Sequence, residues 1–396
     1  MISAGGRLSA SRVRNWRTAA QELALVKATS MRIAHVVDSM EIGGAETLVS
    51  QMCSLQRELG HDPSVYAVLT LGPLGERMRK DGFAVQPHIG RHFSDSMVNF
   101  FHIFNKSRPD VVHLHNPTPT VYAALAARMA GVPCIVSTRH SLVGPPRRPV
   151  VEIKYAVAAV FCDWIVGICD ATTNNLKDIH SVPARKIKRV YNGTVPLKRV
   201  AADKCPPKSG FTFVYVGRLE PVKNHTLLLS AFKTALSLMP DLRLWMVGDG
   251  SERQRLERYC ALLGITSQVT FWGQQLAVEP FFSAADAFIM SSKSEGLPMS
   301  LLQAFSLGIP AIVTDVGGMA EVVRLARAGL MVPGANPDAM AAAIVRLAGS
   351  GTERKHFSAN AEAAFHSHFN IETMVNAYMD LYRNTRRSRH AAMRSF

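Results

Sequence analysis

Short apolar runs alternate with longer stretches of helical periodicity from residue 31 onward, and this alternation restricts the fold more than any other feature of the sequence. Strand, helix and strand in repeated order favour a parallel sheet with helices on both faces. In the first half, strands are predicted at Ile33–Val37, Ser64–Leu69, Val111–Leu114, Cys134–Ser137 and Trp164–Ile168, and helices at Ala45–Leu59, Thr120–Ala130 and Pro149–Phe161. The first half is therefore predicted to form one doubly wound α/β domain.

The alternation stops between residues 194 and 210, where proline, lysine and small residues dominate without apolar periodicity, as in an interdomain linker. It then resumes, with strands predicted at Phe211–Val216, Leu242–Val247, Val269–Phe271, Ala287–Met290 and Ala311–Val313, and helices at Leu227–Leu238, Glu252–Leu263, Met299–Leu307 and Asp338–Leu347. We predict two Rossmann-like domains, 31–200 and 201–370, facing a cleft at their strand ends. An amphipathic helix with a basic tail is predicted over 371–396, with a surface helix as the simplest reading.

The first 30 residues carry five basic side chains and one acidic one, and a strand pattern begins abruptly after them. Three explanations account for this segment: a targeting-like basic leader, a disordered tail, or a translation start wrongly assigned upstream of Met31. We favour the last two. The six cysteines are scattered without a CxxC pair, which indicates a reducing compartment and a cytoplasmic protein. The most apolar stretch, Ala156–Cys169, contains Asp163, so we expect a buried helix and strand there and no membrane span.

The net charge of +15 is unevenly distributed, at +7 over residues 31–200 and only +1 over 201–370. A basic first half suggests an anionic partner, either membrane headgroups or a phosphate-bearing substrate, although an ordinary solvated surface also fits. Nucleic acid is disfavoured because no predicted strand interleaves basic and aromatic residues. We therefore expect no nucleic-acid partner and allow for peripheral attachment to the inner membrane face.

Glycine-rich turns follow the predicted strands of the second half. Gly217 and Arg218 come directly after a strand, and Lys223 stands where the next helix begins. The glycine allows a ligand to approach the backbone closely, and the helix start supplies unpaired N–H groups. With the two cations, Arg218 and Lys223, this combination suits a diphosphate. The turn Gly248-Asp249-Gly250 lacks the third glycine of a dinucleotide fingerprint, so a nicotinamide or flavin enzyme is not supported.

A third motif, Ser294-Glu295-Gly296-Leu297-Pro298, precedes a helix that carries Gln303. Taken alone, Glu295 could simply stabilise the positive end of that helix. The motif is followed by Gly308-Ile309-Pro310 and by Gly317-Gly318-Met319-Ala320-Glu321, another glycine turn at a helix start.

Together these motifs resemble the donor-binding half of the retaining glycosyltransferases of family four, which have the GT-B fold. Gly43-Gly44-Ala45-Glu46, the segment 110–117 and Tyr191-Asn192-Gly193 are similar to motifs of the acceptor half, so the resemblance covers about residues 31–385. It implies transfer of a sugar from a nucleotide-diphosphate sugar to a glycan or lipid-linked acceptor, in cell-surface polysaccharide or glycolipid synthesis. A nucleotide-sugar epimerase of the same fold and a donor-binding protein with little turnover remain as alternatives.

The resemblance also implies roles for individual residues. Arg218 and Lys223 would hold the diphosphate as the glycosidic bond breaks, Glu295 would contact the donor, and no metal or other cofactor is expected because the chain has no Asp-x-Asp triplet. The family has a glutamate at Gln303, which predicts donor binding weakened about five- to tenfold or an altered donor preference. The donor-binding residues implied are Gly43, Gly44, Gly217, Gly248, Gly250, Gly296, Leu297 and Gln303.

Polar residues of the first half complete the candidate site. His115 is the candidate catalytic histidine, whereas we expect His113 to be structural and to lie on the opposite face of the strand. The candidates for the acceptor side are His140, Arg147, Arg148 and Asn192, with an ordinary solvent loop as the alternative for the two arginines.

Overall fold

The computed structural model describes residues 30–87, 93–142, 149–178 and 182–394. The predicted leader, apart from Ser30, and the predicted rim residues Arg147 and Arg148 lie outside these ranges. Among the described helices, none combines the length and apolarity needed to span a bilayer.

The first domain is built on a sheet of seven parallel strands in the order β3-β2-β1-β4-β5-β6-β7. The strands are β1 (Arg32–Val37), β2 (Asp62–Ala67), β3 (Ala84–Gln86), β4 (Val111–His115), β5 (Cys134–Arg139), β6 (Trp164–Gly167) and β7 (Ile187–Arg189). The helices are α1 (Gly44–Glu58), α2 (Gly72–Lys80), α3 (Phe93–Ser107), α4 (Pro117–Met129), α5 (Pro149–Ala159) and α6 (Asp170–Asp178). Because β1 is central and the order reverses beside it, the carboxyl ends of β1 and β4 border a crevice.

The second domain has six parallel strands in the order β10-β9-β8-β11-β12-β13. They are β8 (Thr212–Val216), β9 (Arg243–Val247), β10 (Val269–Gly273), β11 (Ala287–Met290), β12 (Ala311–Thr314) and β13 (Gly329–Val332). The helices are α7 (His225–Leu236), α8 (Arg253–Leu263), α9 (Glu279–Ala284), α10 (Met299–Ser306), α11 (Gly317–Ala326), α12 (Pro337–Gly349) and α13 (Gly351–Ala364). The prediction of two doubly wound α/β domains is confirmed.

The last helix, α14 (Ile371–Arg394), returns to the first domain. Val375, Tyr378 and Met379 are buried in the same apolar cluster as strands β1 and β5. One face of the helix therefore belongs to the core of the first domain, a partner that the predicted amphipathic surface helix did not indicate. The reason is its apolar stripe, which covers a sheet face that would otherwise meet water.

The chain crosses between the domains twice, and the two crossings touch. The N–H of Thr194 donates to the carbonyl of Phe369 (3.0 Å), and the N–H of Ile371 donates to the carbonyl of Thr194 (3.1 Å). A Cβ on Gly193 would collide with the carbonyl of Asn370, so the close approach requires glycine at position 193. The precise limits at residues 200 and 370 stay predictions.

Candidate functional site

The strand ends of the two domains face each other, and several contacts join them. A Cβ on Gly44, at the start of α1, would lie 3.4 Å from Cγ of Met299, at the start of α10. A Cβ on Gly296 would lie 2.6 Å from the carbonyl oxygen of His140. Three predicted site residues, Gly44, Gly296 and His140, are thus brought together across the domain boundary.

The glycine turns after β8 and β9 pack against one another. Gly248 has φ +135°, and a side chain there would collide with the carbonyl of Gly217. A Cβ on Gly250 would lie 2.5 Å from the carbonyl of Leu219, whose N–H donates to Asp249. These glycines let two backbone turns lie side by side at the carboxyl edge of the second sheet.

Lys223 and Glu295 form an ion pair beside these turns. Ser292 donates to the same carboxylate (3.3 Å), and Ser291 donates to the carbonyl of Lys223 (3.0 Å), which fixes the short 3-10 turn that carries the lysine. Arg218 is exposed and forms no ion pair with any described residue. Its guanidinium is thus available to an anionic ligand next to an already neutralised lysine.

The turn after Glu295 presents unused backbone donors. The N–H groups of Gly296 and Leu297 make no hydrogen bond to the described residues. The carbonyl of Glu295 accepts a hydrogen bond from the N–H of Gly318 (3.3 Å), and a side chain on Gly317, at φ +53°, would collide with it. Gln303 is half-buried in α10, and its amide forms no hydrogen bond within the described ranges.

Two carboxyl groups of the first domain face this cationic edge, and sequence analysis gave neither of them a role. Burial raises the pKa of Glu46, in the first turn of α1, and the charge of Asp38 raises it further, whereas the charge of Arg218 lowers it. Burial also raises the pKa of Asp38, at the end of β1. The positive charge of Arg218, in the second domain, therefore lies close enough to Glu46 to favour its ionised form.

A row of imidazoles lies behind the opposite wall of the cleft, and His140 is the member of the row that reaches the domain boundary. Nδ1 of His35 lies 3.0 Å from Nε2 of His115, and Nδ1 of His115 lies 3.1 Å from Nε2 of His140. At the far end, Nε2 of His35 lies 2.8 Å from Oε1 of Gln56. We call Gln56, His35, His115 and His140 the histidine chain.

Two sequence-based expectations about these histidines are wrong. His113 and His115 lie on the same face of β4, with ring centroids 4.1 Å apart, because side chains two residues apart in a strand point the same way. His115 is only 2% exposed and both of its ring nitrogens are engaged, so it lies behind His140 and is closed to direct substrate contact. His113 is structural as expected, since it bonds Thr138 (2.7 Å) and Tyr382 (2.7 Å).

Asn192, a predicted acceptor-side residue, is also displaced from its expected position. It is 4% exposed and lies in the first crossing between the domains, next to Gly193, where that crossing packs against Asn370. Because its side chain is buried there, Asn192 is not part of the accessible acceptor surface.

The histidines are neutral at neutral pH. Burial lowers the pKa of His35 and of His140 to about 4, and the pKa values of His113 and His115 lie well below the usual value for the same reason. One ring nitrogen from each of His35, His113 and His115 lies close enough to the others to share a metal ion. Since the nitrogens of all three rings already carry hydrogen bonds, we interpret the cluster as a hydrogen-bonded network.

Glu321 joins the domains at one side of the cleft. Its carboxylate accepts hydrogen bonds from the N–H groups of Asp170 (2.9 Å) and Ala171 (3.2 Å) and from the hydroxyl of Tyr191 (2.6 Å). The glycine motif containing Glu321 marked this region in the sequence, but the bridge itself depends on how the domains pack.

Both halves of the chain match known protein families. Residues 42–196 match the model for "Glycosyltransferase Family 4", and residues 201–364 match the model for "Glycosyl transferases group 1". The two matched segments correspond to the two observed domains.

Curated relatives are transferases. An Escherichia coli UDP-Gal:alpha-D-GlcNAc-diphosphoundecaprenol alpha-1,3-galactosyltransferase is 28% identical over 72% of this chain and 78% of its own length. A Salmonella typhimurium lipopolysaccharide 1,6-galactosyltransferase is 25% identical over 78% of this chain and 87% of its own length. Among solved structures, Anabaena HepE in complex with UDP aligns with a TM-score of 0.77 at 17% identity, over 89% of this chain and 100% of that one.

Proposed function

This chain belongs to glycosyltransferase family four, among the group 1 glycosyl transferases with the GT-B fold, and from that premise we propose a specific reaction for it. It transfers a sugar, with retention of anomeric configuration, from a nucleotide-diphosphate sugar to a hydroxyl of a glycan or lipid-linked acceptor. Its product belongs to cell-surface polysaccharide or glycolipid synthesis. The relatives described above are transferases, which does not favour the epimerase alternative.

One observation carries the proposal: cations and unused N–H groups converge at the strand ends of the second domain. Lys223 is paired with Glu295, and exposed Arg218 lies nearby in sequence. The N–H groups of Gly296 and Leu297 have no partner among the described residues. Negative charge grows on the diphosphate as the glycosidic bond breaks, so fixed donors and cations there stabilise the transition state more than the ground state. In this proposal no divalent cation is required.

The donor and the acceptor are both proposed from the substrates named for the Escherichia coli relative. The Escherichia coli relative uses UDP-galactose and a diphosphoundecaprenol-linked N-acetylglucosamine, so this pair supplies the first probes. The purified chain is incubated with UDP-galactose, with and without that acceptor, and UDP release is measured. Acceptor-dependent release together with a retained anomeric configuration in the product is expected.

Other outcomes identify the alternatives. Formation of a free epimeric nucleotide sugar without acceptor would establish the epimerase. If UDP-galactose gives no reaction, a panel of UDP-, GDP- and ADP-sugars is screened by thermal shift, since a ligand that binds only the folded state raises the melting temperature. Binding without release of a nucleoside diphosphate from any donor would leave a donor-binding protein.

We further propose that the first domain rests on an anionic membrane surface through α5. Val150, Ile153 and Val157 are each 60–63% exposed, and their spacing places them along one side of the helix. Val160, in the turn just after the helix, is 61% exposed. Exposed Lys154 lies on the same helix. An apolar stripe with a basic flank suits a bilayer that carries negative headgroups.

A basic cavity continues this surface. It measures about 480 Å³, lies at the amino end of β6, and is lined by Val160 and by four basic residues, Arg128, Arg185, Lys186 and Arg389. Asp163 also lines it and pairs with Arg128 and Arg389, so the cavity retains an excess of positive charge. A lipid phosphate is the group that suits this charge beside an apolar stripe.

Vesicle sedimentation tests this surface. The chain is expected to bind phosphatidylglycerol-containing vesicles and not pure phosphatidylcholine, and Ile153→Gln with Val157→Gln should weaken binding at least about tenfold. The matched control, Leu262→Gln with Leu276→Gln, removes two exposed leucines of the second domain and should bind as the parent does. Equal binding by both double variants would exclude α5 as the contact.

A further inference from the structure

Glu321 of the second domain caps the amino end of helix α6 in the first domain. The first N–H groups of a helix have no partner inside the helix, and a side-chain oxygen of the preceding residue normally accepts one of them. The residue that precedes α6 is Cys169, whose sulfur is a weak acceptor and bonds the N–H of Thr172 at 3.4 Å. The N–H groups of Asp170 and Ala171 instead donate to the carboxylate of Glu321 at 2.9 Å and 3.2 Å. The first turn of a helix in one domain is therefore completed by a side chain of the other domain.

The charges around this cap favour a carboxylate. The positive end of the helix dipole attracts Glu321, and the negative charge of Asp170 is compensated by its ion pair with Arg189 (2.7 Å). The guanidinium of Arg189 also lies 4.4 Å from the ring centre of Tyr191, whose hydroxyl donates to Glu321 at 2.6 Å. Burial raises the pKa of Tyr191 and the hydrogen bond to Glu321 raises it further, so this hydroxyl keeps its proton and remains a donor. We call the carboxylate of Glu321, the N–H groups of Asp170 and Ala171, and the hydroxyl of Tyr191 the interdomain latch.

The helix that carries Glu321 also supports the turn with the unused N–H groups. Helix α11 begins at Gly317, one turn before Glu321, and the N–H of Gly318 donates to the carbonyl of Glu295 (3.3 Å). A Cβ on Gly318 would lie 2.0 Å from the carbonyl oxygen of Gly296. Since α11 contacts this turn at its amino end and contacts α6 through Glu321, the interdomain latch fixes where the turn lies relative to the first domain.

The interdomain latch is a contact that can open. Glu321 and Tyr191 are half-buried and Asp170 is exposed, so water can replace every hydrogen bond of the latch when the domains separate. A net gain from hydrogen bonds to one charged group shifts an equilibrium by roughly 10- to 100-fold. A polar contact of this strength selects one domain arrangement without making it permanent.

We propose that Glu321 and Tyr191 are positioning residues: through the interdomain latch they hold the cleft closed, with the turn at Gly296 against the first domain, and release of the latch opens the cleft for exchange of nucleotide. The effect on nucleotide binding rests on the proposed transferase function, whereas the effect on the domain arrangement does not. Glu353 and Tyr259 supply matched controls, because their side chains bond Arg346 and Ser230 within the second domain.

Small-angle X-ray scattering of the full chain without ligand tests the latch directly. Glu321→Gln replaces one acceptor oxygen by an amide NH₂ and Tyr191→Phe removes the hydroxyl, so both variants should have a larger radius of gyration than the parent. Glu353→Gln and Tyr259→Phe should scatter as the parent does. Parent scattering in Glu321→Gln would overturn the proposal.

Hydrogen exchange of the same variants distinguishes an open cleft from a destabilised domain. The N–H groups of Asp170 and Ala171 lose their acceptor when the cleft opens, so peptides from the start of α6 should exchange about tenfold faster in Glu321→Gln. Peptides of α11 should keep the parent rate. Faster exchange in α11 with an unchanged rate at α6 would mean that Glu321 stabilises only its own domain, and this would also overturn the proposal.

Isothermal titration with UDP and kinetics with UDP-galactose test the consequence for the nucleotide. Apparent affinity falls with the closed fraction, so the Kd for UDP and the KM for the donor should rise about tenfold in Glu321→Gln and less in Tyr191→Phe. The double variant should resemble Glu321→Gln because both changes break one contact. The kcat should stay near the parent value, since saturating donor restores the closed arrangement.

The two parts of the proposal fail differently. A parent-like Kd in Glu321→Gln, or a lower kcat at an unchanged KM, would refute the role in nucleotide binding even if the scattering shows an open cleft. If the parent binds neither UDP nor any nucleotide sugar, the proposed function fails, and the scattering of the four variants still decides whether the interdomain latch holds the domains together.

Discussion

The two walls of the cleft are built from opposite kinds of chemistry. The first domain presents neutral rings that are buried, joined in series and fixed by hydrogen bonds, whereas the second presents charges and free N–H groups at a partly exposed edge. A buried network acts through geometry, because each misplaced proton leaves an unpaired atom. An exposed cationic edge acts through charge and tolerates small shifts of position. The neutral sugar and the charged diphosphate of a nucleotide sugar are therefore suited by different walls.

Removing the charges tests the second wall and has the largest expected effect. Arg218→Gln combined with Lys223→Met should lower kcat by about 10³-fold or more, because both cations face the departing diphosphate. Lys233→Met, an exposed lysine of α7, should retain parent activity. Turnover and thermal denaturation are measured for both.

A chelator provides the complementary measurement. EDTA should leave the parent turnover unchanged, since the proposal assigns charge neutralisation to side chains. Retained turnover in the double variant, or loss of parent turnover in EDTA, would remove the proposed role of the two cations.

Acidification tests the first wall. The pKa of His35 and of His140 is about 4 in the folded protein and near 6.5 when unfolded, so the unfolded state binds more protons between these values. Stability is therefore full above pH 6.5 and falls as the pH drops towards 4, by about 3 kcal/mol for each of these histidines. Only one second-domain histidine, His225, has a lowered pKa among the described residues, at about 3.

Hydrogen exchange measured by mass spectrometry reports the stability of each domain separately during acidification. Peptides of the first domain should lose protection at a higher pH than peptides of the second, after correction for intrinsic rates. Simultaneous loss in both domains, or earlier loss in the second, would contradict the contrast between the walls.

The smallest expected effect concerns Gln303. Gln303→Glu restores a charged acceptor at a half-buried position and should tighten donor binding about five- to tenfold, or roughly 1 kcal/mol. Gln268→Glu makes the same change just before β10, at the amino edge of the sheet, and should have no effect. Isothermal titration with UDP-galactose distinguishes the two, and identical affinity in the parent and Gln303→Glu would remove Gln303 from the donor site.

The sequence predicted the second wall better than the first. Glycine turns after Val216 and Val247 could be placed together because carboxyl ends of parallel strands share one edge of a sheet. The motif resemblance assigned Lys223 and Glu295 separately to the donor site, but the contact between them, across 72 residues of sequence, was not predicted. These signals are local, and the repeated topology places them side by side.

The histidine chain was not predicted because it depends on strand order. Pairing of β1 with β4 sets His35 opposite His113, and nothing in the local sequence around His35 indicates that β4 is its neighbour. Helix α3 was also missed, although Phe100 and Phe104 are spaced as on one helical face. The packing of α14 on the first domain was missed because its apolar stripe predicts a buried face but does not indicate which domain covers it.

The paired crossings at Thr194 and Asn370 have a mechanical consequence. Two connecting segments that touch at one point resist twisting and sliding of one domain against the other. Bending of the domains about the axis that passes through Thr194 and Asn370 is comparatively easy. Such bending would widen the gap between Gly44 and Met299 while the seam at Thr194 hardly moves. Entry and exit of a bulky nucleotide therefore need not disturb either sheet.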